Sequence, residues 1–179
     1  MQISILRLGH RLPRDERITT HVCLVARAFG ASEIFYSGQH DESLETSVSG
    51  IVKAWGGNFT ITYEKTYLKL IKRYKEDGFA IVHLTMYGMP LPEKTNAIKN
   101  ADKLLVIVGA EKVEREVYEL ADFNISITSQ PHSEVAALAI TLDRIVEGNE
   151  LTREFDKNFK GEIKLEPNPL GKTINKTKQ

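Results

Sequence analysis

The chain has 179 residues, with 24 lysines and arginines balanced by 24 aspartates and glutamates. That length suggests one domain with a modest extension and a core that needs no staples, and the zero net charge sets no global demand for a polyanionic partner. The lone cysteine, Cys23, excludes an internal disulfide, and no apolar run approaches the roughly 20 residues of a membrane span.

Gln2 to Leu8 carries Ile3, Ile5 and Leu6 and reads as a strand. Met1 leads straight into it, without a signal-peptide pattern, so the expected compartment is cytoplasmic. Gly9 to Arg17 is a charged loop. Thr19 or Thr20 is expected to cap a helix running to about Phe29 and stopped by Gly30. Cys23 lies within its apolar stretch, where a buried small hydrophobe fits better than a nucleophile. Glu33 to Tyr36 is a short strand, and Asp41 opens a helix over Ser43 to Trp55, closed by Gly56-Gly57. Asn58 to Tyr63 is a β-branched strand, followed by a charged amphipathic helix from Lys65 to Glu76.

Phe79 to Leu84 is apolar but for His83, as a strand inside a parallel sheet should be. Thr85 to Pro90 reads as a loop and Lys94 to Lys99 as a short helix. Lys103 to Val108 is a second apolar strand, Glu114 to Leu120 a helix, Phe123 to Ile127 a strand, and His132 to Val146 a long helix ending at Gly148. This alternation predicts an α/β domain over residues 1–150, with a mainly parallel sheet flanked by helices. Residues 151–179 lack periodicity and read as an extension lying on the surface or on a partner. From Lys157 onward it holds six lysines against Glu162 and Glu166. Such a basic tail can meet phosphate or simply be solvated.

Ligands of open parallel sheets gather at the carboxyl ends of strands. Three such ends stand out: Leu84 to Gly88, Gly109 to Val113, and Ile127 to Ser133. Their small and turn-forming residues suit backbone contacts to a nucleoside, and equally suit ordinary strand-to-helix turns. No glycine-rich dinucleotide fingerprint, phosphate-binding loop or nucleophile elbow is present, and no histidine or cysteine pair has metal-ligand spacing. No metal is expected. Arg7, His10, Arg11, Arg14 and Arg17 cluster at the end of the first strand, where guanidinium groups could match phosphate oxygens or form local ion pairs with Asp15 and Glu16.

The segments Arg7-Leu8-Gly9-His10-Arg11, Pro13-Arg14-Asp15, Thr19-Thr20-His21-Val22 and Leu24 to Ala31 closely resemble the start of the archaeal tRNA (cytidine-56-2′-O)-methyltransferases, of the SPOUT class. Gly109 to Val113 and Ser129 to Ala139 are similar to the same family, and the resemblance spans roughly residues 1–165. It implies a trefoil knot within about residues 79–148, a feature too rare to infer from periodicity. It also implies S-adenosylmethionine as cofactor, a homodimer, and tRNA as partner, with a T-loop cytidine 2′-hydroxyl as target. The implied cofactor contacts are Leu84, Gly109, Ala110, Glu111, Lys112, Val113, Ile127, Thr128, Ser129, Gln130, Pro131, His132, Ser133 and Glu134. Arg7, His10, Arg11, Arg14 and Arg17 are the implied tRNA contacts or site builders. Arg27 is the implied catalytic arginine, and His21 stands six residues earlier, where related enzymes have asparagine. The alternatives are a SPOUT enzyme with another RNA target, a non-catalytic RNA-binding relative, and a nucleotide-dependent enzyme on a flavodoxin-like sheet. The last is disfavoured by the missing phosphate loop.

Overall fold

The computed structural model describes residues 1–110, 112–152 and 159–176. Six strands form one parallel sheet in the order β3-β2-β1-β5-β4-β6. They are β1 (Gln2–His10), β2 (Glu33–Gly38), β3 (Thr60–Tyr63), β4 (Ala80–Pro90), β5 (Lys103–Val108) and β6 (Phe123–Ser126). The helices are α1 (Glu16–Ala28), α2 (Glu42–Trp55), α3 (Tyr67–Glu76), α4 (Leu91–Lys99), α5 (Arg115–Leu120) and α6 (Glu134–Val146). None of the described helices is long and apolar enough to cross a membrane.

Both sheet faces are buried, which explains the unbroken apolar runs. The strand period of two sends Ile3 and Ile5 of β1, with Leu104 and Val106 of β5, into a core that also holds Val22, Cys23, Leu138 and Leu142. Leu6, Leu8, Leu105 and Ile107 face the opposite way, against Leu70, Ile71 and Val117 of α3 and α5. Cys23 is fully enclosed, and burial pushes its thiol up to about 12, so it packs as a hydrophobe.

Three boundaries differ from expectation for physical reasons. Helix α1 begins at Glu16, with Asp15 rather than Thr19 or Thr20 at its N-cap. Thr19 is buried against His10, and the Thr20 hydroxyl donates back to the Glu16 carbonyl at 2.8 Å, so neither is available as a cap. Thr85 to Pro90 is not a plain loop. Ile125 of β6 pairs with both Leu84 and Met89, so β4 leaves the ladder after Leu84 and rejoins it at Met89. Gly88 permits the return: a Cβ there would lie 2.5 Å from the backbone of Asn124 and Ile125. Finally, the C-terminal segment contains an antiparallel hairpin, β7 (Ile163–Glu166) with β8 (Thr173–Lys176). Ahead of it, Gly161 packs on the Trp55 carbonyl group and Phe159 on Gly57.

The chain fills one half of the sheet through β1, β2 and β3, then crosses to build the other half. β1 and β5 are therefore neighbours at the switch in strand order, where α/β sheets open a crevice beyond the strand ends.

Candidate active site

A cavity of about 360 Å³ opens at the carboxyl ends of β4, β5 and β6. Leu84, Val108, Ile125 and Ile127 give it apolar walls, and the described lining contains no lysine or arginine. That composition suits an uncharged ring system and does not suit a polyphosphate. At one end, the Asn124 amide nitrogen donates to the Tyr118 carbonyl at 3.0 Å, which turns its oxygen toward His83 Nδ1, 2.9 Å away. Burial lowers the His83 pKa, against the opposing bond to Asn124. Tyr118 packs edge-on against this imidazole and shares a 3.1 Å hydrogen bond with the Thr85 hydroxyl. Gly109, at φ +63°, leaves room on the opposite side. A Cβ there would fall 2.6 Å from the Glu134 carboxyl group and 2.7 Å from Arg7 Nη1.

A second cleft, of about 350 Å³, lies beside the first and is lined by Arg7, Arg11, Arg14 and Asp15. Ala110, His132 and Glu134 line both spaces and form their common wall. Arg7 is buried at the end of β1. It donates to the Leu8 carbonyl and stands 3.2 Å from Glu134 Oε2. Burial lowers its pKa, against the attraction of Glu134 and Asp15. Arg7 Nε and Glu134 Oε2 are both buried and make no hydrogen bond of good geometry within the described residues. The 3.2 Å contact is thus an ion pair by distance only, and Glu134 keeps acceptor capacity for an occupant of the cavity.

His10 is fully buried and does not reach the cleft surface. Its ring bridges Thr19 Oγ1 at 2.9 Å and Asp41 Oδ2 at 3.2 Å, tying β1 to α1 and α2. It therefore builds the site rather than touching a ligand. Asp41 caps α2 through the Ser43 and Leu44 amides, at 2.9 and 3.1 Å. Burial opposes its charge, yet bonds from Ser43, Leu44 and His10 hold the carboxyl below the usual carboxylate range. A depressed folded pKa contributes stability above pH ~4 that is lost as pH falls below it. Asp41→Asn should accordingly cost about 1 kcal/mol near neutrality, a gap that should persist in denaturant melts run at pH 5 and narrow at pH 3. A gap independent of pH would remove the charge from the explanation.

A family model described as tRNA ribose 2′-O-methyltransferase, aTrm56, matches residues 55–175. The chain belongs to this family. It is 53% identical over 175 residues to the tRNA (cytidine(56)-2′-O)-methyltransferase of Archaeoglobus fulgidus, covering 97% of this chain and 98% of that one. The Methanopyrus kandleri enzyme of the same name is 51% identical over 170 residues, covering 95% and 94%. Among solved structures, the TrmH/SpoU tRNA modifying enzyme of A. aeolicus superposes with a TM-score of 0.63 at 17% identity, covering 88% of this chain and 78% of that one. An AdoMet-bound rRNA methyltransferase from Sinorhizobium meliloti gives 0.64 at 16%, covering 83% of this chain and 57% of that one. At such identities the solved neighbours establish the fold, that of the SPOUT methyltransferases. The chain spans little more than half of the second neighbour's length.

The residues singled out from the family resemblance divide into groups. Leu84, Gly109, Ala110, Val113, Ile127, His132 and Glu134 line the cavity. Ser133 lines the neighbouring cleft, and its hydroxyl caps α6 by accepting from the Val135 amide at 3.2 Å. Lys112, Thr128, Ser129, Gln130 and Pro131 are exposed and are not lining residues; Glu111 lies outside the described residues. Arg11 and Arg14 line the cleft, whereas Arg17 is exposed on the first turn of α1, outside the lining. Arg27 is not brought to this site. α1 runs back toward the amino-terminal edge of the sheet, so its last turn ends ~15–20 Å from its first. There Arg27 Nη2 donates to the Gly56 carbonyl at 2.5 Å, and its guanidinium carbon sits 4.9 Å over the Phe159 ring. Within one copy of the chain this arginine holds the C-terminal segment against the β2–β3 edge. His83, Thr85, Tyr118 and Ala137 also line the cavity. Thr85 carried a sequence signal through its place at an apolar strand's end, and Ala137 through the Ser129–Ala139 resemblance; His83 and Tyr118 carried none.

Proposed function

We propose that the chain transfers a methyl group to the ribose 2′-hydroxyl of cytidine 56 in tRNA, with the cavity as the S-adenosylmethionine site and the arginine cleft as the path of the RNA. The observation that carries this reading is the wall of Ala110, His132 and Glu134 shared by a mainly apolar cavity and an arginine-lined cleft. The residues present fit the cofactor: apolar walls for the adenine, no lysine or arginine in the described lining, and an acceptor at Glu134 with unused capacity. S-adenosylmethionine, when bound, supplies an electrophilic methyl carbon on a sulfonium. Everything else falls to the protein. Arg11 and Arg14 offer planar donors to phosphate oxygens. The Arg7–Glu134 pair fixes the wall, and holding the ribose oxygen in line with the methyl carbon supplies much of the rate.

The proposal includes what the resemblance implies for the whole molecule: a knotted 79–148 region, a homodimer, a cytoplasmic setting, and residues 151–179 as an extension of the 1–150 domain. It moves Arg27 from chemistry to architecture. The test is a methylation assay on a tRNA transcript and on the same transcript carrying 2′-deoxycytidine at position 56. Methyl incorporation is expected into the first only. Equal incorporation into both would refute the target, and favour a SPOUT enzyme acting on another nucleotide.

A further inference from the structure

We propose that His132 is the general base that accepts the 2′-hydroxyl proton. This rests on the function proposed above and departs from the role that the resemblance implies for Arg27, which within one copy of the chain is held at Gly56 and Phe159. The argument begins with position. His132 stands in the wall between the cavity and the arginine cleft, the place where, on that function, a ribose oxygen would face the methyl carbon. The ring is exposed to both spaces, so substrate can reach it without displacing protein.

Its hydrogen bonding then fixes which nitrogen is available. His132 Nδ1 lies 2.8 Å from the Gln130 carbonyl oxygen. A carbonyl only accepts, so Nδ1 carries the hydrogen, and in the neutral ring Nε2 holds the lone pair. The backbone on either side is anchored, since Pro131 restricts the preceding turn and Ser133 caps α6. The other candidates in the two spaces are placed differently: His83, at the far end of the same cavity, is buried and held to Asn124 at 2.9 Å. Glu134 faces Arg7 at 3.2 Å, Asp15 accepts from Arg11 Nε at 3.0 Å, and Arg7 is a buried cation paired with Glu134. Tyr118 belongs to the Thr85–His83 end of the cavity.

The step balances without another reactant. As the 2′-oxygen bonds to the methyl carbon, the carbon–sulfur bond breaks with its electron pair going to sulfur, and the hydroxyl proton passes to Nε2. The proton then leaves to solvent through the open cleft.

The first experiment needs no turnover. Ring-nitrogen NMR of the full chain should show His132 with its hydrogen on Nδ1; a hydrogen on Nε2 would overturn the proposal. The second compares His132→Gln with wild type in single-turnover methylation of tRNA across pH 5–9, with cofactor and tRNA affinities measured separately by calorimetry. The variant should keep both affinities within about threefold and lose roughly 10²-fold or more in rate. The acid limb of the wild-type profile should disappear, and added imidazole should restore part of the rate in His132→Ala. Arg7, Arg11, Arg14, Asp15 and Glu134 face the same spaces and are present in both proteins, so the comparison isolates the imidazole. A variant rate within threefold of wild type, or a loss matched by weaker cofactor binding, would overturn the assignment. A wild type that forms no 2′-O-methylcytidine would instead overturn the function on which it rests.

Discussion

Arg7→Met is expected to melt at the same temperature as the wild type or higher, while losing about 10²-fold in kcat/KM for tRNA methylation. Arg7 is 2% exposed. Its Nε has no hydrogen-bond partner among the described residues, and its carboxylate partner, with 31% of the side chain exposed, contacts it at 3.2 Å. Burying a cation under such conditions costs more than a weak ion pair returns, which is why burial lowers its pKa. A methionine of similar length fills the space without that cost, and Glu134 can turn toward water. The loss falls on function. Glu134 and the shared wall lose the group that orients them, and a displacement near 1 Å at a reacting centre costs on the order of a hundredfold. Thermal melts and steady-state kinetics on the same preparation check both halves. A variant that melts lower and stays fully active would show that Arg7 serves the fold.

Gly88→Ala should act in the opposite sense, through stability first. Its Cβ would meet the Asn124 carbonyl and the Ile125 nitrogen at 2.5 Å. These are backbone atoms of β6 and cannot rotate away as a side chain would. Forcing them apart costs about 3 kcal/mol, or a fall of ~6–12 °C in Tm for a chain of this size. Thr85, beside the cavity, shifts with the strand, so cofactor affinity should fall in the same variant. A Tm within 2 °C of wild type would mean that β4 rejoins β6 with room to spare.

The sheet was legible in the sequence because its strands are buried on both faces. Leu104 to Val108 and Phe79 to Val82 hold no polar residue to suggest an edge, and Gly30, Gly56 and Gly78 follow α1, α2 and α3. The return of β4 to β6 was not legible. Thr85-Met86-Tyr87-Gly88 has loop composition, and only the approach of Asn124 shows why a glycine stands there. The site was half visible. Gly109, His132 and Glu134 follow apolar strands or open a helix, so their region could be named from the family resemblance. The burial of His10, the ion pair of Arg7 and the distance of Arg27 depend on which way α1 runs over the sheet. No local pattern encodes that. Tyr118 carried no signal because on a short helix it looks like any half-buried aromatic.

The cavity is bounded by two kinds of wall. Val108 and Gly109 extend from the β1–β5 ladder, whose Ile5, Leu6, Val106 and Ile107 are sealed from solvent at the centre of the sheet. The stretch from Thr85 to Gly88 hangs outside any ladder, with Tyr87 84% exposed. Amide hydrogens on the first wall should exchange only when the whole domain opens, and those on the second through local opening. A charged methyl donor and its demethylated product differ by one carbon and one charge. On the function proposed above, adjustment between them falls on the compliant side, leaving the opposite face geometrically constant through the cycle.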